Sequence, residues 1–536
     1  MEMRQTKKLL KRDIAYAEIL NSKLSDIKNS IEVTKKKTAW SPSPLLSSNR
    51  VPRKLLNVRS LLLLSLAFFG TSEALLGTEP FRSHAALTSG FQDDLVTSVS
   101  GTPMDIAWTP DGRMLIPMRD GRLLIYMNGK LLASPAINLS QSVCANGDEG
   151  LGGVAVHPNF AVNNYIYLYY TYKISGTCNT GSTVAPVNRL SRFILPTNNS
   201  INPASQTNLL DTPPLPTEDH AGDDLQFGHD GYLYLEIGDG GSPCCPSSFN
   251  DPENASVLFG KVVRLTDSGG IPPSNPFTGS DSARCNLNGV PPAGSTLGTK
   301  CQEVFAVGLR NPFKAAFDPN ISSTNFFVND VGNTTWEEVD IGAAGADYGW
   351  PTREGPCSAA NPLTDCGPPP SGLTNPVYWY GHNVTVNAVN CVAITSAAFV
   401  PNDVWPGFQN AYFYGDWGCG GIWSLTQNTS GGVNSTLFGA VAKTGIISMR
   451  FGPYNSTVAL YYLYGNYGPS GQLRRIWLNT GSVGGSVVSL DKLRILAPYI
   501  LPSLVLATVT TGTVALRRKL VKIGKRAAFS DCRTRD

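Results

Sequence analysis

The chain is poor in histidine and in charge. Only five of its 536 residues are histidine, and charged residues make up 15% of the sequence. Its eleven cysteines form no CxxC motif, so the sequence does not indicate a structural zinc site. What the chain does contain is a 42% share of hydrophobic residues together with 53 glycines and 38 prolines. A chain of this length can bury a large core, and such frequent turn residues favour an all-β architecture over a helical one.

Long apolar runs are also rare, and the first of the two follows a basic N-terminal leader. Residues 1–60 carry 14 basic and 5 acidic side chains, and residues 61–70 (LLLLSLAFFG) are apolar. This run is too short to span a bilayer, and a small-x-small pattern follows at Ser72 to Ala74. Residues 61–74 are therefore predicted to be a signal peptide, with an uncleaved signal anchor as the alternative. Either would place the residues that follow outside the cytosol.

The second apolar run lies near the C-terminus. Residues 495–516 (ILAPYILPSLVLATVTTGTVAL) carry no charge over 22 positions, and Arg517, Arg518 and Lys519 follow at once. This length and flank predict a single transmembrane helix that leaves the basic tail, residues 517–536, in the cytosol. A removable lipid-anchor signal would instead end in apolar residues. The expected location is the cell surface or a membrane of the secretory pathway.

The region between these segments is acidic. Outside residues 1–60 and 517–536 the chain holds 21 basic and 33 acidic side chains, a net charge of −12. A nucleic-acid partner is not expected for such a surface. The region also contains nine N-x-S/T motifs, which are typical of glycosylated proteins: Asn138, Asn198, Asn254, Asn320, Asn333, Asn383, Asn428, Asn434 and Asn455.

Ten of the eleven cysteines lie in the same region, and Cys532 lies beyond the predicted membrane helix. An even number on the oxidising side of a membrane predicts up to five disulfides, whose pairing the sequence does not determine. Cys244 and Cys245 are adjacent, and two separate bridges are expected for them rather than a vicinal disulfide.

A turn followed by an alternating aromatic and aliphatic strand recurs six times. The copies are TPDGRMLIPMRD (109–120), HPNFAVNNYIYLYY (157–170), FGHDGYLYLEIGD (227–239), FDPNISSTNFFVND (317–330), VPNDVWPGFQNAYFYGDW (400–417) and FGPYNSTVALYYLYGNYG (451–468). Strand-rich units at intervals of about 50 to 90 residues are typical of a β-propeller. We therefore predict an all-β, six-bladed β-propeller over residues 92–478, with a β-sandwich as the alternative. In a propeller, loops from different blades meet at the mouth of the central channel.

Several motifs resemble the soluble glucose/sorbosone dehydrogenases, a family of six-bladed propellers that use pyrroloquinoline quinone (PQQ) and calcium. The matching stretches, in family order, are GDEGLGGVAVHPNF (147–160), DHAGDDLQFGHDGYLYLEIGDGG (219–241), LFGKVVRL (258–265), IPPSNPF (271–277), EVFAVGLRNPFKAAFDP (303–319) and NDVGNTTWEEVDIGAAGADYGWP (329–351). The resemblance implies an oxidoreductase that uses PQQ and calcium to oxidise the C1 hydroxyl of an aldose or a related polyol.

The resemblance implies that His220 is the catalytic base. In the family, the histidine of this motif takes the proton of the sugar's C1 hydroxyl while hydride passes to the quinone. Imidazole suits the role because its unperturbed pKa of about 6.5 leaves it able to accept a proton at neutral pH. The adjacent carboxylate of Asp219 is expected to orient the ring. Without the resemblance, a lone loop histidine would be interpreted as structural.

Cofactor contacts are implied for three residues. Arg310 and Asn311 of GLRNPF match family positions that contact PQQ, a tricarboxylate that calls for cations and amide donors. Glu149 of DEGLGG matches a position where Gln or Arg is usual.

Calcium ligands are implied in the stretch DVGNTTWEEV and just after it. The backbone carbonyls of Gly332 and Asn333 match ligands of a cofactor-side calcium ion. Glu338 and the carbonyl of Tyr348 match ligands of a structural calcium ion, and Ca²⁺ prefers such oxygen donors.

Two stretches depart from the family pattern. Where family enzymes supply a lysine, GDWGCGGIWSL (415–425) has none; where they supply arginines, KTGIISMRFGP (443–453) has only Lys443 and Arg450. These departures leave two other classes open. One is a non-catalytic extracellular propeller that binds a protein or glycan ligand, as in hedgehog-interacting-protein-like proteins, and the other is a calcium-dependent propeller hydrolase.

Overall fold

A computed structural model describes residues 87–241, 252–441 and 444–479. Within these residues, 31 strands form six sheets of four or five strands, with three two-stranded sheets in the connections. The six sheets are the blades of a propeller, so the all-β, six-bladed prediction is confirmed. The predicted leader, signal segment, transmembrane helix and tail lie outside the described residues. Within the three described ranges, no helix is long and apolar enough to cross a membrane.

The first strand belongs to the last blade, and the next strands form blades 1 and 2. The strand β1 is Phe91–Ser100. Blade 1 contains β2 (Ala107–Trp108), β3 (Met114–Pro117), β4 (Arg122–Met127), β5 (Lys130–Leu131) and β6 (Ile137–Asn138). Blade 2 contains β7 (Leu151–Val156), the helical turn α1 (Phe160–Asn163), β8 (Tyr165–Tyr172), β9 (Val187–Ile194), a 3-10 turn (Pro203–Ser205) and β10 (Thr207–Asp211).

Blades 3 and 4 carry short additional strands in their connections. Blade 3 contains β11 (Leu225–Phe227), β12 (Leu233–Ile237), β13 (Lys261–Leu265), the inserted pair β14 (Ser282–Ala283) and β15 (Lys300–Cys301), and β16 (Val304–Ala306). Blade 4 contains β17 (Pro312–Phe317), β18 (Phe326–Asp330), β19 (Trp336–Ile341), the inserted pair β20 (Arg353–Glu354) and β21 (Cys357–Ser358), and β22 (Tyr378–Gly381).

Blades 5 and 6 complete the ring. A further short pair, β23 (Thr385–Val386) and β24 (Val389–Asn390), precedes blade 5, which contains β25 (Ile394–Phe399), β26 (Tyr412–Asp416), β27 (Gly421–Gln427) and β28 (Val433–Ala440). Blade 6 contains β29 (Ile446–Tyr454), β30 (Thr457–Gly465) and β31 (Ser470–Leu478), with β1 as its fourth strand. Because β1 pairs antiparallel with β31, both ends of the propeller are held in one sheet and the ring closes.

Each sequence repeat covers the turn between the first and second strands of a blade, followed by the second strand. The turn residues adopt backbone conformations that suit them, such as φ 87° at Gly112, 54° at Asn164 and 51° at Asn455. The second strands are largely buried, and all except β3 contain aromatic residues, as in β8 and β30. The repeat therefore marked blades because turn chemistry and strand alternation are both local properties of the sequence.

The hydrophobic core is a ring of clusters between adjacent blades. Between blades 3 and 4, for example, Tyr234 and Phe305 pack against Phe326. A smaller cluster lies at the axis, where Met104, Phe313 and Ile447 from different blades are buried together. Side chains from three blades thus fill part of the middle of the ring.

The direction of the chain determines which loops meet at the mouth of the channel. First strands of neighbouring blades contact one another, and the chain moves outward to the fourth strand of each blade. Consequently, the turn between the second and third strands and the connection to the next blade emerge at the same end of the propeller. We call this end the upper face.

Candidate functional site

His220 lies on the upper face, in the connection between β10 and β11. Its backbone is left-handed, with a φ of 55°, and its N–H donates to Asp148 Oδ2 at 3.1 Å. Its Nδ1 lies 2.6 Å from Oδ1 of Asp239, in the turn between β12 and β13. The imidazole is 16% exposed, so part of the ring is accessible to a ligand although most of it is fixed by the protein.

Asp239 determines which nitrogen of His220 is available for chemistry. An ionised carboxylate only accepts hydrogen bonds, so Nδ1 of His220 carries the proton of this contact and Nε2 is left to accept one. Asp239 is held in turn, because its Oδ2 accepts from Trp350 Nε1 at 2.8 Å and its Oδ1 accepts from Gly241 N at 2.8 Å.

The group that orients the ring is therefore Asp239, where the sequence suggested Asp219. Asp219 precedes the left-handed residue, and its carboxylate lies beside Gly147 instead.

Two glycines allow the His220 loop to approach the turn after β12. A Cβ at Gly238 would lie 2.1 Å from the backbone oxygen of His220, and a Cβ at Gly222 would lie 2.2 Å from the backbone oxygen of Glu236. A side chain at either position would separate the loop from the turn that carries Asp239. Asn311 adds a further contact, since its Oδ1 accepts from Gly222 N at 3.3 Å.

Arg310 and Asn311 lie next to this loop. Their backbone N–H groups donate to the two carboxylate oxygens of Asp330, at 2.8 and 2.6 Å. Burial raises the pKa of Asp330 to about 7, although these two amides oppose the shift. The guanidinium of Arg310 lies 5.6 Å from the centre of the Trp350 ring, so the structure brings Arg310 and Asn311 to the loop of His220.

Gly332 and Asn333 lie in the turn between β18 and β19. Nη1 of Arg310 donates to the carbonyl oxygen of Gly332 at 2.6 Å, which is one of the two carbonyls expected to bind calcium. The amide of Asn333 and those of the three residues after it all donate to one oxygen of Glu354, at 2.8 to 3.1 Å. The turn is therefore fixed by a guanidinium on one side and a buried carboxylate on the other.

Three buried carboxylates share one face of β18 and β19. Asp330 is directly opposite Glu338 in the antiparallel register, and Asp340 follows Glu338 by two positions. Among the residues that the structure describes, neither oxygen of Asp340 has a hydrogen-bond partner. Burial, followed by repulsion from Asp330, raises the pKa of Asp340 well above its usual range. Burial, followed by repulsion from Asp340 and then from Asp330, raises the pKa of Glu338 in the same way. Such a cluster must bind protons or a cation.

Tyr348 is buried near this cluster, in the connection that follows β19. Its O–H donates to Ile341 O at 2.5 Å, and its backbone N–H donates to Val307 O at 3.1 Å. Burial and then the charge of Asp340 raise the pKa of the phenol. Sequence reasoning named Glu338 and Tyr348 but missed Asp330 and Asp340. The signal that could have found Asp340 is the alternation of side chains along a strand, which places Asp340 on the same face of β19 as Glu338.

Glu149 and its neighbour Asp148 have different environments. Glu149 is fully buried, and burial, followed by the charge of Glu218, raises its pKa to about 7. Asp148 instead reaches the site, since it accepts from the backbone of His220 and, at 3.1 Å, from the hydroxyl of Tyr467. The residue of this motif that contacts the His220 loop is therefore Asp148.

Sequence reasoning also missed Arg119, Trp417 and Tyr467. The guanidinium of Arg119 lies 4.7 Å from the centre of the Tyr467 ring, and the rings of Tyr467 and Trp417 are 6.0 Å apart. All three follow the second strand of a blade, as Asp239 does. The signal that could have found them is their shared place at the end of the six sequence repeats, because those turns meet on the upper face.

Arg450 lies deeper, on the first strand of blade 6. Its Nη2 is 2.5 Å from Asp224 Oδ1 and 3.3 Å from Asp105 Oδ1, and both carboxylates are buried. It therefore joins three blades across the channel.

The described cysteines form four disulfides, Cys144–Cys178, Cys285–Cys301, Cys357–Cys366 and Cys391–Cys419. Carboxylates lie near two of them, Glu303 and Asp416, but a disulfide sulfur is not a thiolate ligand, so neither group indicates a metal site. Cys244 and Cys245 lie outside the described residues.

Comparison with known proteins gives consistent matches. Residues 100–436 match the family described as Glucose / Sorbosone dehydrogenase. HIPL2 protein of Arabidopsis thaliana is 26% identical over 350 residues, which cover 57% of this chain and 47% of that protein. Aldose sugar dehydrogenase YliI of Escherichia coli (strain K12) is 28% identical over 316 residues, covering 58% and 74%. The crystal structure of the soluble aldose sugar dehydrogenase from Escherichia coli in the apo-form has a TM-score of 0.57 and 24% identity, covering 72% of this chain and 99% of that chain. The chain thus spans about half the length of HIPL2.

Proposed function

Because the chain belongs to the glucose/sorbosone dehydrogenase family, we propose that it oxidises the C1 hydroxyl of an aldose or related polyol, with PQQ and calcium. The observation that carries this proposal is the contact of 2.6 Å between His220 Nδ1 and Asp239, with Asp239 fixed by Trp350. This arrangement leaves His220 Nε2 as a proton acceptor at an accessible position.

The protein's part in the reaction is the movement of one proton. His220 Nε2 accepts the proton of the sugar's C1 hydroxyl, and the carboxylate of Asp239 stabilises the imidazolium that results. Because Asp239 is buried and also accepts from Trp350, it keeps the ring in one tautomer and one orientation. The chemistry that PQQ supplies when bound is the acceptance of a hydride from C1.

The residues around His220 fit a polyanionic cofactor. Arg310 uses Nη1 for backbone carbonyls, and Arg119 uses Nη2 for the carbonyl of Gly147. Each guanidinium has five N–H donors, so both keep donors for the carboxylates of PQQ. Asn311 uses only its Oδ1 within the loop, which leaves its amide N–H groups for the same ligand.

Calcium is proposed at the carboxylates of Asp330, Glu338 and Asp340. Oxygen ligands of this kind suit Ca²⁺, and a divalent cation would remove the repulsion between three buried acids. The carbonyl of Gly332 is a weaker candidate, since a cation there would compete with the guanidinium of Arg310.

Reconstitution tests the proposal. PQQ and Ca²⁺ are added to the purified full-length chain, and the absorbance of the quinone is followed before and after aldoses are supplied. We expect the quinone to bind and to be reduced by sugar in the wild type, whereas His220→Ala binds it but reduces it about 10² to 10⁴ times more slowly. A calcium-loaded wild type that binds no quinone and reduces no artificial acceptor with any aldose would refute the dehydrogenase function.

A second candidate is a non-catalytic propeller that binds a protein or glycan ligand. The observation in its favour is that Arg450, one of two cations in the stretch where family enzymes supply arginines, is committed to Asp224 and Asp105. Its other cation, Lys443, lies outside the described residues. If reconstitution fails while the upper face of the propeller still binds a protein or glycan ligand, this second candidate replaces the first.

We further propose that the propeller faces the exterior or the lumen of the secretory pathway, anchored by residues 495–516. Support comes from the nine glycosylation motifs, since none of their asparagines is buried. Glycosidase treatment should increase the electrophoretic mobility of the mature protein, and a tag placed after Asp536 should resist protease added to intact cells. Unchanged mobility, or loss of the tag, would contradict this topology.

A further inference from the structure

A cavity of about 360 Å³ lies in the connection between β19 and β22, away from the His220 contacts. Its walls belong to the hairpin of β20 and β21 and to the segment joined to it by the disulfide Cys357–Cys366. This volume is near the lower end of the range of about 300 to 1,000 Å³ for ligand pockets. Its lining residues are Thr352, Arg353, Ser358, Asp365, Cys366, Gly367, Pro368, Pro370 and Leu373.

Arg353 is the buried cation of this cavity, with 8% of the residue exposed. Its Nη2 donates only to neutral oxygens: to Pro356 O at 2.6 Å, to Asn375 Oδ1 at 3.0 Å and to Gly367 O at 3.4 Å. Its Nε is buried and has no hydrogen-bond partner among the described residues. The acceptors of Nη2 are all uncharged, so an anionic ligand in the cavity would give this buried guanidinium a partner of opposite charge.

The other walls offer different chemistry. Ser358 and Thr352 carry hydroxyls, and the exposed carboxylate of Asp365 can accept hydrogen bonds from hydroxyl groups. Pro368, Pro370 and Leu373 give one wall an apolar surface. A cation, a few hydroxyl-binding groups and an apolar wall match a small ring that carries a carboxylate, several hydroxyls and a face of C–H groups.

We propose that this cavity binds one unit of an acidic saccharide, with the sugar carboxylate on the guanidinium of Arg353. The ligand class is a uronic acid, free or at the end of a glycan. The site goes beyond the proposed oxidation and does not depend on it, since binding here requires neither PQQ nor His220.

Calorimetry on the purified full-length chain tests the proposal with galacturonate, galactose and inorganic sulfate at equal ionic strength. We expect galacturonate to bind at least about ten times more tightly than either of the other two, because it alone supplies both the charge and the ring. Arg353→Gln should weaken galacturonate binding by about tenfold or more, whereas Arg192→Gln, on an outer strand of blade 2, should not.

Loss of Arg353 could also disturb the hairpin, so a second variant fills the cavity from its rim. Leu373→Trp should abolish galacturonate binding while the melting temperature stays that of the wild type. Equal affinity for galacturonate and galactose, tighter binding of sulfate than of galacturonate, or binding that survives Leu373→Trp would overturn the proposal.

Discussion

Two imidazole–carboxylate pairs lie on the upper face, and they look alike. In one, His220 Nδ1 is 2.6 Å from Asp239 Oδ1; in the other, His382 Nε2 is 2.7 Å from Glu337 Oε1. The two imidazoles are 16% and 19% exposed, and both carboxylates are buried. Distance and burial therefore do not distinguish them.

The other hydrogen bonds that the two carboxylates accept do distinguish the pairs. Asp239 accepts from Trp350 and Gly241, in loops that surround the channel mouth. Glu337 uses Oε2 to accept from Ile394 N at 2.9 Å, at the start of the first strand of blade 5, and from Gly332 N at 3.3 Å, in the turn between β18 and β19. One carboxylate orients a ring, whereas the other joins two blades. The difference lies in what else each acid holds: Glu337 holds the start of blade 5 as well as the turn of Gly332, whereas the contacts of Asp239 are confined to loops at the channel mouth.

The largest contrast is expected from removing the charge of each carboxylate. In Asp239→Asn, the amide can donate to Nδ1 of His220, which favours the tautomer in which Nε2 carries the proton and cannot accept one. Turnover of the reconstituted enzyme should fall by about 10² to 10⁴, or roughly 3 to 5 kcal/mol, with little change in melting temperature. In Glu337→Gln, the melting temperature should fall and turnover should largely persist. Equal losses of turnover in the two variants would remove the distinction between the pairs.

The fold could be predicted from the sequence because its signals are local. Each of the six repeats contains a turn and an alternating strand, so the blades could be counted without knowing which strands pair. The closure by β1 has no such local signal, since its partner β31 lies at the other end of the propeller.

The site was predicted less completely because its contacts depend on backbone conformation. Asp219 is next to His220 in sequence, but the left-handed backbone of His220 and the close approach allowed by Gly238 bring Asp239 to the ring instead. Arg450 lies in a stretch that departs from the family pattern, and its position across the channel follows only from the arrangement of three blades. Disulfide pairing cannot be determined from the sequence for the same reason.

A buried carboxyl group lies near each of the two imidazole–carboxylate pairs. The pKa of Glu149, beside Asp148, and that of Asp416, beside Glu337, are both raised to about 7 by burial. For Glu149, the folded state keeps its proton between about pH 4.5 and 7 while the unfolded state loses it, so stability falls as pH rises through this window. The loss is about 3 kcal/mol for a shift of this size.

Glu149→Gln cannot ionise, so denaturation at about pH 5 and pH 8 should show a smaller loss of stability with rising pH than in the wild type. Asp416 stays intact in this variant, which confines the change to the His220 side. A pH dependence identical to that of the wild type would mean that Glu149 is ionised in the folded protein at both values.

Calcium should stabilise blade 4, because Glu338 lies opposite Asp330 in the pairing of β19 with β18. A ligand that binds only the folded state stabilises it by about 2.7 kcal/mol at a hundredfold excess over its Kd. A chelator should therefore lower the melting temperature of the wild type, and Glu338→Ala should show no such difference. Asp281→Ala, an exposed carboxylate in blade 3, should keep the wild-type response to the chelator. A wild-type melting curve that the chelator leaves unchanged would exclude a stabilising calcium ion.

The smallest effect concerns His382 itself. Burial opposes protonation of this ring, but the hydrogen bond and charge of Glu337 raise its pKa above the ordinary value. A raised folded-state pKa means that the stabilisation is complete below the unfolded pKa of about 6.5 and is lost as pH rises through the folded value. His382→Ala should therefore cost about 1 kcal/mol at about pH 5.5 and less at about pH 8.5, measured by chemical denaturation. His229→Ala, an exposed histidine in the turn between β11 and β12, is the matched control and should change stability little at either pH. If the cost of His382→Ala were the same at both pH values, the charge of the ring would contribute nothing to stability. The second pair would then differ from the first only in the groups that its carboxylate binds.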